Sequence, residues 1–158
     1  MLRLKYYAYL LSRKLKRKKL TIALAESCTG GMLAANLTAF NGASNYFNSA
    51  LIVYSNKAKI NLLHIDKNTL KKYGAVSDII ALEMSKNLYK MQKTNITIAI
   101  TGIAGPKSDN SNKAVGLVYI ALTTKDTNLV KEYNFSGKRT KIRKLSSLAA
   151  IKLIAEHI

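Results

Sequence analysis

The chain has 158 residues, 48% hydrophobic and 22% charged, which is enough for one domain with a sizeable core and short for two. Its single cysteine excludes an internal disulfide and fits a reducing, cytoplasmic location. No apolar run approaches the roughly 20 residues of a membrane-spanning helix. The net charge of +18 is spread over the chain and only five of the 26 basic residues are Arg, so we expect a solvated basic surface and no specific nucleic-acid site.

The first predicted element is a basic helix over residues 1–19. Its residues Leu4, Tyr7, Leu11 and Leu15 recur at helical spacing, so we expect this face to pack on the domain. The apolar run at residues 6–11 is shorter than the core of a secretion signal, and a basic run without a cleavage site follows it. A basic amphipathic helix can also lie on a membrane surface, but packing is the expected role and no membrane partner is predicted.

The remaining elements alternate between strand and helix patterns. Apolar and β-branched runs predict strands at residues 20–25, 51–54, 96–101, 115–123 and 129–135. Capping residues and helical spacing predict helices at residues 30–39 and 57–63, between Asp66 and Gly74, after Ser77, and from residue 137 to the end. Interleaved helices with a late hairpin predict one α/β domain over residues 1–158, a three-layer α/β/α sandwich with a mixed, mostly parallel sheet.

The stretch that points to function is residues 20–32, LTIALAESCTGGM. A buried strand ends at Ser27, and Thr29, Gly30 and Gly31 then turn the chain into a helix. Such a turn places a hydroxyl at the sheet edge and directs backbone N–H groups of a helix start toward it. We therefore predict an anion-binding active site here. Ser27 as a mere helix N-cap is equally compatible with the spacing, and Cys28 is a second candidate nucleophile, although it is expected to face the core.

Two further turns are expected at the same sheet edge, at residues 54–59 and 102–106, because ligands bind where such strands end. The two histidines, His64 and His157, have no partner at metal-ligand spacing, so no metal site is predicted. Without a suitable histidine, a serine nucleophile needs Lys or Tyr as its base, and Tyr54 and Lys59 are the candidates. Lysine serves as a base only if its pKa, ordinarily about 10.4, is lowered. Tyr54 in sheet packing and Lys59 as one surface lysine among many remain open alternatives.

Several motifs together resemble the C-terminal domain family of the competence-damage-inducible protein CinA, whose stand-alone members are nicotinamide-nucleotide amidases. The motifs are residues 25–31 (AESCTGG), 42–44 (GAS) with Phe47, 54–56 (YSN) with Lys59, 74–77 (GAVS), 102–106 (GIAGP) and 115–116 (VG). The resemblance implies a three-layer α/β/α fold, an oligomer with a dimer favoured, and hydrolysis of nicotinamide mononucleotide to nicotinate mononucleotide and ammonia without a cofactor.

The resemblance also implies residue roles. Ser27 carries over as the nucleophile, with Tyr54 and Lys59 as its activating partners. Substrate-binding positions are Thr29, Gly30, Gly31, Gly102, Ala104 and Gly105. Arg139 and Arg143, one turn apart, are predicted to hold the substrate phosphate, although a solvated surface pair is an equal alternative.

The chain departs from the family pattern in two places. Residues 107–114 lack the family's two glycines and its proline, which is expected to affect substrate affinity more than chemistry. Only about 20 residues precede the first predicted strand, so no upstream pyrophosphatase domain is expected. A function of another class also fits the charge, namely a non-catalytic basic module that binds nucleic acid or a partner in DNA uptake and repair.

Overall fold

The computed structural model describes residues 2–108 and 112–158, which form five strands, six α-helices and one short 3-10 helix (Ala43–Asn45). The strands are β1 (Ile22–Glu26), β2 (Phe47–Ile52), β3 (Ile96–Gly102), β4 (Leu117–Thr123) and β5 (Asn128–Asn134). The helices are α1 (Leu2–Lys18), α2 (Met32–Leu37), α3 (Asn56–Leu63), α4 (Lys67–Tyr73), α5 (Asp78–Gln92) and α6 (Arg139–Glu156). None of these helices is long and apolar enough to cross a membrane.

The strands form one mixed sheet in the order β2-β1-β3-β4-β5. β1 pairs in parallel with both β2 and β3, whereas β4 is antiparallel to β3 and β5. Four of the five strands therefore run in one direction, as predicted. The carboxyl ends of β1, β2 and β3 meet at a single edge, and the pairing of Leu117 with Asn134 brings the end of β5 to that edge too.

Two hydrophobic layers cover the sheet. Along β1, Ile22 and Leu24 face a cluster shared with α1, α2 and α6. Ala23 and Ala25 face the opposite cluster, which is shared with α3, α4 and α5. β1 is buried on both faces because it lies inside the sheet with helices above and below it. This confirms the three-layer α/β/α prediction.

Helix α1 packs largely as its spacing predicts. Leu4, Leu11 and Leu15 are buried, and Ala8 joins them, while Tyr7 is partly buried against the same cluster. Helices α3, α4 and α5 begin at the side-chain N-caps that the sequence predicts, which are Ser55, Asp66 and Ser77. Ser55, Asp66 and Ser77 accept hydrogen bonds from the backbone N–H groups of Ala58, Thr69 and Ile80 at 3.0, 2.7 and 3.2 Å.

Two predicted elements differ in position. The second strand begins at Phe47 rather than Leu51, and it is a partly buried edge strand rather than a fully buried one, because only β1 pairs with it. Helix α2 begins at Met32 rather than residue 30, since Gly30 and Gly31 have φ of +55° and +87°, which is left-handed backbone. In the altered loop at residues 107–114, Asp109, Asn110 and Ser111 lie outside the described residues.

Candidate active site

A cleft of about 740 Å³ opens at the edge where the parallel strands end. Five segments line it: Ser27 and Cys28 after β1, residues 54–59 after β2, residues 70–76 from α4 onward, residues 101–107 after β3, and Arg139 at the start of α6. This volume is typical of small-molecule sites. The three turns that were predicted to share one edge therefore do so.

Ser27 and Lys59 meet at the floor of the cleft. The Lys59 Nζ lies 3.1 Å from the Ser27 Oγ. It also donates to the carbonyl oxygens of Val53 at 2.9 Å and Tyr54 at 3.4 Å. Both side chains are buried, with exposed fractions of 1% for Lys59 and 7% for Ser27. The pair thus has the geometry of a nucleophile and its base.

Local backbone contacts explain why Lys59 reaches this point. The Val53 N–H donates to the Glu26 carbonyl at 2.9 Å and extends the β1–β2 pairing by one residue beyond β2. Ser55 then caps α3, and the Lys59 N–H donates to the Ser55 carbonyl at 3.1 Å. Lys59 therefore sits in the first turn of α3, from which its long side chain returns to the strand end.

Burial changes the acid–base chemistry of Lys59. Removal of the ammonium from water lowers the pKa of Lys59 from 10.5 to about 8. No Asp or Glu is among the described residues that line the cleft, so no carboxylate there opposes this effect. With this pKa, about a tenth of Lys59 is neutral at pH 7 and about half at pH 8, and the lone pair of the neutral form can accept the Ser27 proton.

Glu26 is a functional residue that the sequence analysis missed. Its carboxylate is fully buried and accepts from the N–H groups of Gly31 at 3.0 Å, Leu33 at 3.2 Å and Ala34 at 2.8 Å. The first N–H groups of α2 are therefore satisfied inside the protein. The prediction that this helix start points at a ligand is wrong. The only available sequence signal was an acidic residue at a strand end just before a glycine-rich helix start.

This arrangement also favours Ser27 over Cys28 as the candidate nucleophile. Gly31, not Ser27, is the N-cap residue of α2, and the capping oxygens come from Glu26. The Ser27 hydroxyl is thus available to Lys59. Cys28 is buried in the core as expected, and burial raises the pKa of its thiol from 9.0 to about 12. Cys28 is therefore a protonated, poor nucleophile at neutral pH.

Thr29, Gly30, Gly31 and Arg143 lie behind the nucleophile rather than in the cleft. None of the four lines it. Arg143 donates from Nη2 at 2.7 Å and from Nε at 3.3 Å to the Thr29 carbonyl. The structure therefore does not bring these four residues to the cleft with Ser27, and their contact with a ligand stays a prediction. Instead, Arg143 and Glu26 hold the turn that follows Ser27 through hydrogen bonds to the backbone of Thr29 and Gly31.

Arg139 is the member of the arginine pair that reaches the cleft. Its Nη1 donates to the Gly105 carbonyl at 2.7 Å, and its Nη2 donates to the Tyr54 hydroxyl at 2.7 Å. The Tyr54 ring is 57% exposed at the cleft mouth. Among the described residues, Ser27 is hydrogen-bonded to Lys59, whereas the Tyr54 hydroxyl is hydrogen-bonded to Arg139, so the geometry favours Lys59 over Tyr54 as the base.

Gly102, Ala104 and Gly105 line the cleft, in agreement with their predicted placement. A Cβ added to Gly102 would lie 2.7 Å from the Val118 Cγ2 and 2.8 Å from the Leu117 carbonyl oxygen. Gly105 has φ +81°, and a Cβ there would lie 2.7 Å from the Val115 Cγ1. This loop therefore needs glycine for both space and conformation.

The charge of the cleft is cationic. Lys59, Lys71, Lys107 and Arg139 line it, and within residues 2–108 and 112–158 no Asp or Glu does. Over the same residues, no group of three or more His, Cys, Asp or Glu side chains could hold a metal ion. The arrangement fits a small anionic ligand with a group that the serine can attack.

Known proteins resemble this chain over nearly its whole length. The CinA C-terminal domain model matches residues 5–158. A putative competence-damage inducible protein of Clostridium botulinum (strain Loch Maree / Type A3) is 45% identical over 144 residues, which are 91% of this chain and 35% of that protein. The chain thus spans about a third of the length of this curated relative.

Solved structures share the fold. A CinA superfamily protein from Escherichia coli has a TM-score of 0.94 and 27% identity, covering 98% of this chain and 90% of that one. The competence/damage inducible protein CihA from Agrobacterium tumefaciens has a TM-score of 0.93 and 31% identity, covering 98% and 94%. Because the family model and the fold agree over nearly all of the sequence, the chain belongs to the CinA C-terminal domain family.

Proposed function

We propose that this chain is an amidase that hydrolyses nicotinamide mononucleotide to nicotinate mononucleotide and ammonia. The observation that carries the proposal is the buried pair of the Ser27 Oγ and the Lys59 Nζ, 3.1 Å apart at the floor of a cationic cleft. The amide substrate itself comes from the resemblance of the motifs to nicotinamide-nucleotide amidases, since the matched relatives are named only for competence and damage.

The reaction begins with neutral Lys59 accepting the proton of the Ser27 hydroxyl. The Ser27 Oγ attacks the carboxamide carbon and forms a tetrahedral oxyanion. The Lys59 ammonium then returns the proton to the amide nitrogen. The C–N bond breaks, ammonia departs, and the acyl group stays bound to Ser27 as an ester. Lys59 then takes a proton from water, which attacks the ester, and Lys59 returns this proton to the departing Ser27 Oγ. The carboxylic acid product loses its proton to solvent and leaves as the carboxylate. Each proton that Lys59 takes is given back, so the enzyme is regenerated.

The substrate phosphate is the second group that the cleft must hold. Arg139 lines the mouth and is exposed, whereas Ser27 lies buried at the floor. Arginine binds phosphate with two parallel hydrogen bonds, so Arg139 is the proposed phosphate ligand. Binding would exchange its hydrogen bonds to Tyr54 and Gly105 for bonds to phosphate oxygens. Arg139 is preferred over Arg143 for this role because Arg139 lines the cleft and Arg143 does not.

Ammonia release from nicotinamide mononucleotide by the purified full chain tests the proposal. Ser27→Ala is expected to lower kcat by several orders of magnitude, because loss of a nucleophile removes the covalent step. Cys28→Ala, one residue along the same turn, is the matched control and should keep most of the activity. A Ser27→Ala enzyme with near-wild-type turnover, or an inactive Cys28→Ala enzyme that remains folded, would reject the assignment.

A non-catalytic basic module remains the second candidate, and the net charge of +18 favours it. In that case the wild-type chain would release no ammonia and would bind a nucleic acid or a protein partner instead. Sequence-independent DNA binding that disappears with added salt would show only general charge attraction. A sequence-selective complex stable at moderate salt would support the basic module. We further propose that the chain works in the cytoplasm as a homo-oligomer, with a dimer favoured.

A further inference from the structure

The outward face of α1 combines exposed apolar side chains with positive charge. Opposite the buried residues, α1 presents Leu2, Tyr6, Tyr9 and Leu10, whose side chains are between 42% and 89% exposed. No other described helix exposes as many large hydrophobic side chains. Packing on the domain explains the inner face of α1, but it leaves this outer face without a function.

The cations around this face are dense, and α1 itself contains no carboxylate. Residues 2–19 contain eight Lys and Arg residues, and the first carboxylate of the chain is Glu26, which is buried under α2. Lys14 and Lys16 donate to the carbonyls of Ala155 and Asn41. The other cations of the segment, which are Arg3, Lys5, Arg13, Arg17, Lys18 and Lys19, are exposed. An anionic partner could therefore be contacted along the whole helix.

A groove between α1 and α6 extends the apolar area. It measures about 300 Å³, and Tyr7, Leu10, Leu11, Ile151 and Ala155 form its apolar walls. Lys14, Lys152 and Glu156 also line it, and the Glu156 carboxylate is already paired with the Lys131 Nζ at 3.0 Å. The Lys152 Nζ also lies 5.2 Å from the centre of the Tyr7 ring. The groove thus joins an apolar surface to cations, as the outer face of α1 does.

We propose that α1 docks the chain on the surface of an anionic lipid bilayer, with the helix axis in the plane of the membrane. Helices that lie at bilayer interfaces carry Lys and Arg beside leucine and aromatic side chains. Tyrosine rings favour the boundary between headgroups and acyl chains. None of the described helices is apolar enough to cross a membrane, so the contact is peripheral. This inference departs from the sequence expectation of no membrane partner, and it is independent of the proposed amidase activity.

Two other occupants fit the face less well. A second copy of the chain would bring two sets of cations together, since residues 2–25 contain no carboxylate to pair with them. A nucleic acid would satisfy the charges but would leave Leu2 and Leu10 in water, because phosphates bind cations and not aliphatic side chains. A lipid surface satisfies both the charges and the apolar side chains.

The test is flotation of the full chain with vesicles of phosphatidylcholine alone or of phosphatidylcholine mixed with phosphatidylglycerol. The charge variant is Arg3→Gln with Arg17→Gln, and its control is Lys86→Gln with Lys90→Gln on the exposed side of α5. The apolar variant is Tyr6→Ser with Leu10→Ser, and its control is Leu62→Ser with Met91→Ser, two side chains of similar exposure. Circular dichroism verifies that each variant is folded.

The wild type should float only with the anionic vesicles. The charge variant should bind roughly 10-fold or more weakly, since each interfacial cation contributes about 1 kcal/mol. The apolar variant should lose most of its binding, while both controls should bind like the wild type. An equal loss of vesicle binding in variants and controls would overturn the proposal. Wild-type vesicle binding by the apolar variant would overturn it too. If the chain binds nucleic acid but not vesicles, the partner is a nucleic acid and the proposal is overturned. If α1 instead supports a dimer that does not float with vesicles, the partner is a second copy and the proposal is also overturned.

Discussion

Replacement of Lys59 by methionine should make the protein more stable and inactive at once. The pKa of Lys59 falls from 10.5 to about 8 because the folded protein buries its ammonium. Each tenfold change in proton affinity corresponds to about 1.4 kcal/mol, so the buried charge costs about 3 kcal/mol at neutral pH. Methionine fills a similar volume without charge. It leaves the Val53 and Tyr54 carbonyls without their donor, which costs about 1 kcal/mol each.

We therefore expect Lys59→Met to gain about 1 kcal/mol in free energy of unfolding at pH 7. This raises the Tm by about 2–4 °C for a chain of this size. The sign of the pH dependence follows from proton binding. Between pH 8 and pH 10.5 the unfolded state of the wild type binds more protons at Lys59 than the folded state, so the wild type gains stability as pH rises. The advantage of the variant should shrink by about 1 kcal/mol between pH 7 and pH 9.

Urea unfolding of both proteins at pH 7 and pH 9 measures this difference, with ammonia release as the parallel assay. Lys57→Met is the matched control, because Lys57 is exposed in the same helix turn. The control should keep its activity and show no comparable pH-dependent difference. A Lys59→Met protein that is destabilised equally at both pH values would refute the reasoning, because burial of the Lys59 ammonium would then not lower the stability of the wild type.

Three other predictions concern the same cleft. The kcat/KM of the wild type should rise roughly tenfold per pH unit below pH 8 and level off above it, since only neutral Lys59 accepts the proton; a flat profile between pH 6 and pH 9 would exclude Lys59 as the base. Arg139→Gln should raise the KM for nicotinamide mononucleotide strongly and leave turnover of the phosphate-free riboside little changed, whereas an equal effect on both would assign Arg139 to the fold. Glu26→Gln should lower kcat with little change in KM and cost about 1–3 kcal/mol of stability, because an amide nitrogen replaces one accepting oxygen. The control is Glu156→Gln, which alters an exposed carboxylate. An unchanged kcat in Glu26→Gln would contradict a positioning role.

Much of the architecture could be predicted because burial leaves a direct trace in the sequence. β1 and β3 are nearly continuous apolar runs, which is typical of strands covered on both faces. The edge strand β2 was placed too late, since its residues are only partly buried and its pattern lacks such a run. The left-handed Gly30 and Gly31 likewise shortened α2 in a way that helical spacing does not reveal.

The site was predictable in position but not in its internal contacts. Strand ends and motif order brought Ser27, Lys59 and Gly105 to one edge. The choice between Tyr54 and Lys59 depended on side-chain direction, which sequence spacing leaves open. Glu26 escaped prediction because its three hydrogen bonds form across a turn, and a glutamate at a strand end gives no sign of burial.

The carboxylate of Glu26 also has a consequence for the direction in which a substrate enters. Because an internal anion already neutralises the start of α2, an external phosphate beside Ser27 gains nothing from the positive end of this helix. Apart from the buried Lys59, the cations that line the cleft are the exposed side chains of Lys71, Lys107 and Arg139. A molecule with a phosphate at one end and a neutral amide at the other is therefore expected to enter with its amide directed toward Ser27 and its phosphate left at the exposed cations.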